Sequence, residues 1–332
     1  FQAEDGIRDK QICLVGSEMC IRDRTPDPRA RALGGRALRS PAALRRDVID
    51  TPTAGRVSIV VLNWNSGTLG LAATRSAVDQ TWPDVEVIVV DNASADDSLA
   101  TIVAHHADVQ VVRNPENLGF SGGMNAGIAV ATGEFELPLN CDAELAPDYC
   151  ARLVAVLRDH PRAAAAGGQV ASSRVATSGP LRITVTMRTA SLPVDRPVRC
   201  DKLNGACPLF RAAALREVVE RFGGPYDASY FTYGEDIDLA STLARQGWEF
   251  RYDPGARADH VRSFGSAPRL ADRRGELRTT TLTNRHRNIV RHGRRPWWAI
   301  TLYALIQDLG FAGLRLARGD RAAPHDVVEA WR

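Results

Sequence analysis

The 332-residue sequence predicts an α/β fold: a mixed, mostly parallel sheet flanked by helices, with a helical extension at the C-terminal end. Three observations carry that reading. Apolar, β-branched runs alternate with helix-patterned segments between residues 57 and 113, the βαβαβ rhythm of a nucleotide-binding half-sheet. A glycine-rich turn then enters a helix directly ahead of another apolar strand, Glu134 to Asp142. Finally, 44% hydrophobic against 24% charged residues supplies a full core for one large or two modest domains.

Composition excludes some classes. A net charge of +3 carries no global nucleic-acid signature. The six cysteines, Cys13, Cys20, Cys141, Cys150, Cys200 and Cys207, form no C-x-x-C pair, and no His is spaced to complete a zinc site. Free thiols in a reducing cytosol are the simpler reading, although Cys200 and Cys207 could pair if the fold joined them. No apolar segment follows a basic start, so no signal peptide is predicted. No uninterrupted apolar run reaches the ~20 residues of a membrane-spanning helix. The predicted location is cytoplasmic.

Residues 1–24 look foreign. Ile7-Arg8-Asp9-Lys10 is nearly repeated as Ile21-Arg22-Asp23-Arg24, and the stretch lacks an amphipathic period. It resembles translated sequencing-adapter read-through, with a disordered terminus as the alternative. Residues 25–55 are rich in Arg, Ala and Pro and read as a flexible basic leader. A solvated tail is favoured there over an arm touching anionic lipid.

The folded domain is predicted from Arg56. Val57–Leu62 is a buried parallel strand ending in Asn63-Trp64-Asn65-Ser66, with Ser66 as N-cap of a helix over 68–79. Val85–Val90 is a second strand running into Asp91-Asn92-Ala93-Ser94, and Ser94 with Asp97 resembles a capping box for a helix over 95–106. A third strand covers Val109–Arg113. A carboxylate at the end of the second strand, Asp91, often meets a ribose or base; capping its own loop is the equal alternative. The turn after the first strand lacks G-x-G-x-x-G, which argues against a nicotinamide enzyme.

The segment Asn114 to Gly127 is a glycine-rich loop entering a helix over 123–132. Its glycines permit close backbone approach, and a helix N-terminus favours anions. The strand that follows ends in Asn140-Cys141-Asp142. An amide and a carboxylate at a strand's carboxyl end can hold a hard divalent cation against a phosphorylated ligand; a polar turn is equally compatible with this stretch alone. Beyond it come a helix over 147–158, strands and a variable loop over 163–200, an irregular strand over 203–211 and a helix over 212–221.

The second chemical feature is Tyr226 to Leu239. Aromatic residues precede Glu235, Asp236 and Asp238 at the start of a helix over 236–246. Acids compensate a helix dipole in a first turn. Behind a Tyr/Phe-rich loop they also suit proton abstraction from an incoming hydroxyl, with Asp236 as base and Glu235 orienting the acceptor. Strands over 248–252 and 257–260 follow, separated by an Asp253-Pro254-Gly255 turn. His260, ending the latter, is a candidate third metal ligand.

Residues 267–295 are basic, and 296–317 is apolar apart from Gln307, Asp308 and Arg315. Paired Trp297 and Trp298 beside arginines resemble an interfacial helix that would make peripheral contact with the inner face of a plasma membrane. The competing reading is a helix packed on the catalytic domain or on a partner in a homodimer.

The ordered set Val61-Leu62-Asn63-Trp64-Asn65, Val90-Asp91-Asn92-Ala93-Ser94, Asn117-Leu118-Gly119-Phe120 and Asn140-Cys141-Asp142 resembles family 2 glycosyltransferases. Tyr233-Gly234-Glu235-Asp236-Ile237-Asp238-Leu239 and His260 continue the match, which is closest to the bacterial rhamnosyltransferase-like branch of cell-wall and polysaccharide assembly. The resemblance spans roughly Arg56 to Ser266. It implies a GT-A nucleotide-diphospho-sugar transferase fold and inverting transfer from a nucleoside-diphosphate sugar, of UDP or dTDP type, to a glycan or lipid-linked acceptor.

It also implies roles. Asn63, Asn65 and Asp91 would bind the nucleoside; Asn117, Gly119, Gly123 and Asn125 would line the donor pocket with Asn140. Asp142, joined by His260, would bind Mg²⁺ or Mn²⁺ across the diphosphate, and Asp236 would be the base beside Glu235. Two positions depart from the family pattern. Asn140 replaces the first acid of the common Asp-x-Asp metal motif, and Met124 stands where Asn is commoner. A catalytically silent sugar-nucleotide-binding protein of the same fold is therefore the alternative to an active transferase. A nucleotidyltransferase would want a basic glycine-rich turn after the first strand, which is lacking here.

Overall fold

A computed structural model describes residues 52–171, 178–261, 268–293, 296–320 and 323–331. The predicted foreign segment, nearly all of the basic leader, Cys13 and Cys20 lie outside the described residues.

The core strands are β1 (Thr53–Asn63), β2 (Val85–Asp91), β3 (Gln110–Arg113) and β4 (Gly133–Asn140). Helices α1 (Gly67–Val78), α2 (Ser98–His105) and α3 (Gly119–Ile128) connect them. β1 lies between β2 and β4, parallel to both. A strand covered on both faces must be apolar along its length. Val57 and Ile59 to Val61 are accordingly fully buried, as are Leu137 and Leu139.

Past β4 the chain adds β5 (Ala143–Leu145), α4 (Tyr149–Asp159), β6 (Ala163–Ala171), β7 (Leu181–Ile183), β8 (Thr189–Ser191), β9 (Val198–Cys200) and β10 (Leu209–Arg211). Then follow α5 (Ala212–Phe222), α6 (Glu235–Arg245) and β11 (Glu249–His260). The main sheet runs β3-β2-β1-β4-β10-β6-β11-β5, with β9 on β11; β7 and β8 form a separate hairpin. β10 is antiparallel to both β4 and β6, whereas β11 returns parallel to β6. The predicted mixed, mostly parallel sheet is present.

The order reverses around β1. The chain first moves outward through β2 and β3, then resumes at β4 on the other side. Register pairs Asn63 with Asp91 and Leu62 with Asn140, so three carboxyl ends finish at one level. Ligands of open α/β sheets bind in the crevice at such a switch.

Several local expectations change. β1 begins at Thr53, not Arg56, because Thr53 N–H donates to Thr132 and Gly55 N–H to Glu134 Oε2. Ser66 stands at the N-cap of α1, but its hydroxyl donates to Asn63 Oδ1 and leaves the helix end uncapped. The expected capping box is not formed either: Ser94 accepts from Asn63 and from Asn65 N–H, and α2 starts later, at Ser98. The two strands predicted around Asp253-Pro254-Gly255 are one strand, β11, in which the supposed turn is a register shift against β6. Cys141, Cys150, Cys200 and Cys207 are free and buried, as predicted. Burial pushes the Cys207 thiol up to about 12 and that of Cys200 to about 11, which makes both unreactive.

Three helices follow: α7 (Pro268–His292), α8 (Trp297–Ala317) and α9 (Ala323–Trp331). α8 is inverted relative to an ordinary surface helix. Ala304, Asp308 and Ala312 face the body, while Trp298, Leu302, Tyr303, Ile306, Phe311 and Leu314 are exposed. Asp308 accepts from Arg188, 2.8 Å away, from Arg285 and from Trp331 Nε1 at 3.3 Å. Burial alone would raise this carboxyl, but His286, Arg285 and Arg188 outweigh it and hold it below its ordinary value. The charge that breaks the apolar run in sequence is thus turned inward. By length and composition Trp298–Ala317 is then apolar enough to cross a membrane, which the sequence reading did not anticipate.

Glu136 is buried in β4. Burial raises its carboxyl to about 8, with Arg216 opposing and Glu86 reinforcing. Between its ordinary value of 4.5 and about 8 the folded chain keeps a proton that the unfolded chain releases. Stability therefore falls as pH rises through that window. Glu136→Gln removes the effect: thermal unfolding should show the variant's advantage over wild type widening between pH 5 and pH 8. A pH-independent difference would contradict this account.

Candidate active site

At the ends of β1 and β2, Asn63 Nδ2 lies 3.0 Å from Asp91 Oδ1, 3.1 Å from Ser94 Oγ and 3.0 Å from Ser98 Oγ. Its Oδ1 accepts from Ser66. A side-chain amide has two donor hydrogens. Asn63, fully buried, therefore has no donor to spare for a nucleoside, and what it does is aim Asp91. Asn65, at φ 48°, accepts from Ala95 N–H at 2.7 Å and ties two loops together. Of the three residues expected at the nucleoside, Asp91 keeps a carboxylate at the rim, 7% exposed.

The glycine-rich segment departs further from expectation. α3 begins at Gly119, four residues earlier than predicted. Its N-terminal donors are taken: Phe120 N–H donates to Phe231 O at 2.7 Å and Ser121 N–H to the same oxygen at 3.4 Å. A Cβ on Gly119, at φ +73°, would lie 2.4 Å from that oxygen. Gly119 is thus required by the docking of the 226–234 loop. Gly123 lets α3 approach β1, since a Cβ there would meet Leu62 at 2.6 Å. Asn117 accepts from Asn92 Nδ2 at 2.9 Å, and Asn92 Oδ1 accepts in turn from Asn114 and Leu118 N–H. Asn125 grips both backbone groups of Tyr226, donating to its carbonyl at 2.7 Å and accepting from its N–H at 3.0 Å. These contacts of Asn117, Gly119, Gly123 and Asn125 build the walls of the cleft.

Asp142 and His260, 118 positions apart, meet because β5 pairs with β11 and sets Ala143 opposite His260. His260 Nε2 lies 2.9 Å from Asp142 Oδ1, a contact in which the ring N–H donates to the carboxylate. Among the described residues, three buried atoms at this edge have no hydrogen-bond partner: Asp142 Oδ2, Asn140 Oδ1 and His260 Nδ1. Buried polar atoms normally find a partner, so this edge offers two oxygens and a nitrogen to a ligand. That donor set fits a hard divalent cation. No group of three or more His, Cys, Asp or Glu side chains is gathered for a metal among the described residues.

Of the acids of α6, Asp236 lines a cavity together with Lys202, Gly205 and Tyr226. A Cβ on Gly205 would lie 3.2 Å from Asp236 Oδ2, while its neighbour Ala206 accepts from Asn140 N–H at 2.9 Å. Two consecutive residues therefore bridge the Asn140–Asp142 edge to Asp236. Glu235 is buried with Oε2 unpaired; burial, then the charge of Asp236, pushes its carboxyl up to about 8, with Lys202 opposing. Lys202 Nζ lies 2.5 Å from Asp236 Oδ2.

The loop into α6 is held from a helix that motif reading passed over. Asn284 Nδ2 lies within 3.2 Å of the carbonyls of Tyr230, Thr232 and Tyr233. Asn288 donates to Gly234 O at 2.9 Å and accepts from Tyr230 OH at 2.7 Å. Arg291 and His292 contact Asp238 at 3.0 and 2.6 Å. The signal in the sequence is a polar stripe at 284, 288, 291 and 292 on one helix face, hidden within a segment read only as basic. Lys202 belongs to no recognisable pattern, and Asn92, though inside the Val90–Ser94 motif, has no role assigned by that motif.

Comparison with known proteins follows this geometry. The family model "Glycosyl transferase family 2" matches residues 58–222. The rhamnosyltransferase "N-acetylglucosaminyl-diphospho-decaprenol L-rhamnosyltransferase" of Mycobacterium tuberculosis is 27% identical over 216 residues, 55% of this chain and 68% of that protein. The succinoglycan biosynthesis protein ExoO of Rhizobium meliloti is 36% identical over 116 residues, 35% of this chain and 32% of its own. Among solved structures, GalNAc-T7 with UDP, GalNAc and Mn²⁺ aligns at TM-score 0.54 and 16% identity over 69% of this chain. S. aureus TarS aligns at 0.51 and 14% over 72%. This chain spans only 47% and 40% of those two, so the likeness is one of fold. A GT-A sheet, a family domain over 58–222 and rhamnosyltransferase relatives together make this chain a member of the family 2 glycosyltransferases.

Proposed function

We propose that this enzyme is an inverting transferase that moves a hexosyl or deoxyhexosyl group from a UDP or dTDP sugar to a hydroxyl of a glycan or lipid-linked acceptor in cell-wall or polysaccharide synthesis. The observation that supports the reading is the Gly205-Ala206 pair: Gly205 lies beside Asp236, and the Ala206 carbonyl accepts from Asn140 N–H. The name of the mycobacterial relative, a rhamnosyltransferase acting on a diphospho-decaprenol, supports the acceptor class.

In this mechanism Asp91 faces the nucleoside. Asp142, with His260 and Asn140, would hold Mg²⁺ or Mn²⁺, which when bound would supply positive charge to offset the negative charge building on the leaving group. Asp236 takes the proton of the acceptor hydroxyl, whose oxygen bonds to the anomeric carbon from the opposite face. The carbon–oxygen bond to the diphosphate breaks, and its electron pair leaves with the nucleotide. Glu235, kept protonated near neutrality by burial, contributes a donor beside the base.

The acceptor reading extends to a surface. A lipid-linked acceptor is offered at a bilayer, and α8 turns Trp298, Leu302, Tyr303 and Ile306 outward. Aromatic and aliphatic side chains on one exposed face suit the headgroup boundary. We assign α8 to peripheral contact with that surface.

Asp236→Asn should lower transfer by about 10²–10⁴-fold, the usual contribution of a positioned base, with nucleotide binding retained. Wild-type turnover in that variant, measured as nucleoside diphosphate released from UDP and dTDP sugars, would remove Asp236 from the role. Asp142→Ala should abolish the gain in UDP or dTDP affinity that Mn²⁺ produces in calorimetry; an unchanged gain argues against ligation. Leu302→Glu with Ile306→Glu should end co-flotation of the full chain with phosphatidylglycerol-containing vesicles, and equal flotation of wild type and variant would refute the membrane assignment.

A further inference from the structure

We propose that Lys202 is a positioning residue for Asp236: its ammonium grips one carboxylate oxygen from behind and leaves the other turned toward the acceptor hydroxyl. The proposal rests on the reading of Asp236 as the base.

Lys202 is 6% exposed. Lysine is rarely buried unless paired, because a desolvated ammonium without a counter-charge is costly. Its Nζ has two contacts, Asp236 Oδ2 at 2.5 Å and the carbonyl of Leu203 at 3.0 Å. The backbone is fixed as well: Leu181 N–H donates to Lys202 O at 2.9 Å, and Lys202 N–H donates to Leu181 O at 3.1 Å. The backbone that carries the cation is therefore held by a bridge to the β7 end.

The pair is asymmetric toward solvent. The lysine side chain is 7% exposed and that of Asp236 31%. The cation sits at the back and the carboxylate at the mouth, as positioning of a base for an incoming hydroxyl requires. Gly205 leaves room for the ion pair itself, since a Cβ there would lie 3.2 Å from Oδ2, the oxygen that Lys202 holds.

Other charges nearby are already answered. Asp238, on the same helix, is met by Arg291 and His292. Glu235 is pushed up by burial and then by Asp236 itself, so it holds its proton. Tyr226, packed across the cleft, is pushed far up by burial and stays neutral. Asp236 is thus the acid that Lys202 serves.

The test compares Lys202→Met, Lys202→Arg and Asp236→Asn in the full chain, with turnover read as nucleoside diphosphate released from UDP and dTDP sugars. Lys202→Met should lose about 10²-fold in kcat, the scale of a misplaced reacting group, with UDP affinity unchanged. The acid limb of its kcat/KM profile should move up, since a carboxylate without its cation holds a proton more tightly. Lys202→Arg, which keeps the charge, should return the limb near its wild-type position while turnover stays reduced. The same contrast is read without turnover from the ¹³C carboxyl resonance of Asp236, assigned by its loss in Asp236→Asn: its titration midpoint should rise in Lys202→Met. Should that variant not fold, Lys202→Gln provides the same two readouts. An unmoved limb and midpoint would overturn the role of Lys202 and leave Asp236 as base; full turnover in Asp236→Asn would overturn the base itself.

Discussion

The carbonyl of Phe231 is the point on which this cleft depends. Phe120 N–H, at the start of α3, donates to it at 2.7 Å and so joins the glycine-rich segment to the acidic one, more than a hundred residues later. The loop that carries this carbonyl is strained. Phe231, Tyr233 and Gly234 all have positive φ, at 55°, 65° and 85°. Non-glycine residues in such regions cost about 1–3 kcal/mol each and persist only when their surroundings over-determine them. Here that support is explicit: Asn125 holds Tyr226, Asn284 meets the carbonyls of Tyr230, Thr232 and Tyr233, and Asn288 takes Gly234. A helix N-terminus that in isolation would attract an anion is spent on an internal carbonyl instead.

The same loop delivers two adjacent acids to the start of α6, where the helix dipole favours negative charge. That favour is too small to bury both side chains ionised. The structure separates them. Glu235 goes inward and is pushed toward its protonated form, while Asp236 stays at the mouth against Lys202. Two carboxylic acids one residue apart thereby acquire different environments, which is the condition for different roles in one reaction.

The C-terminal helices belong to this arrangement. The family match ends at residue 222, yet the side chains that fix the acidic loop come from α7, between Asn284 and His292. α8 is attached in turn through Asp308, whose charge is matched by Arg188 of the β7–β8 hairpin and Arg285 of α7. Anchoring α8 by its small and charged face leaves the large apolar side chains outside. The electrostatic cluster, more than the hydrophobic pattern, sets the orientation of that helix.

Much of the molecule was legible in the sequence. β-branched runs of buried-strand length located β1, β2 and β4 to within a few residues, because a strand covered on both faces has no other composition to use. Glycine, proline and acid punctuation located most helix ends, and the ordered motifs identified the family. What the tertiary structure alone decided is which partner each polar side chain takes. Asn63, Asn117 and Asn125, expected at the ligand, are engaged by the side chains of Asp91, Ser94 and Ser98, by Asn92 and by the Tyr226 backbone respectively, and Lys202, which no motif marks, stands beside Asp236. The physical reason is that residue spacing constrains neighbours along a strand or helix, whereas a hydrogen bond or ion pair across 28 to 118 positions exists only once the sheet order brings its two ends together.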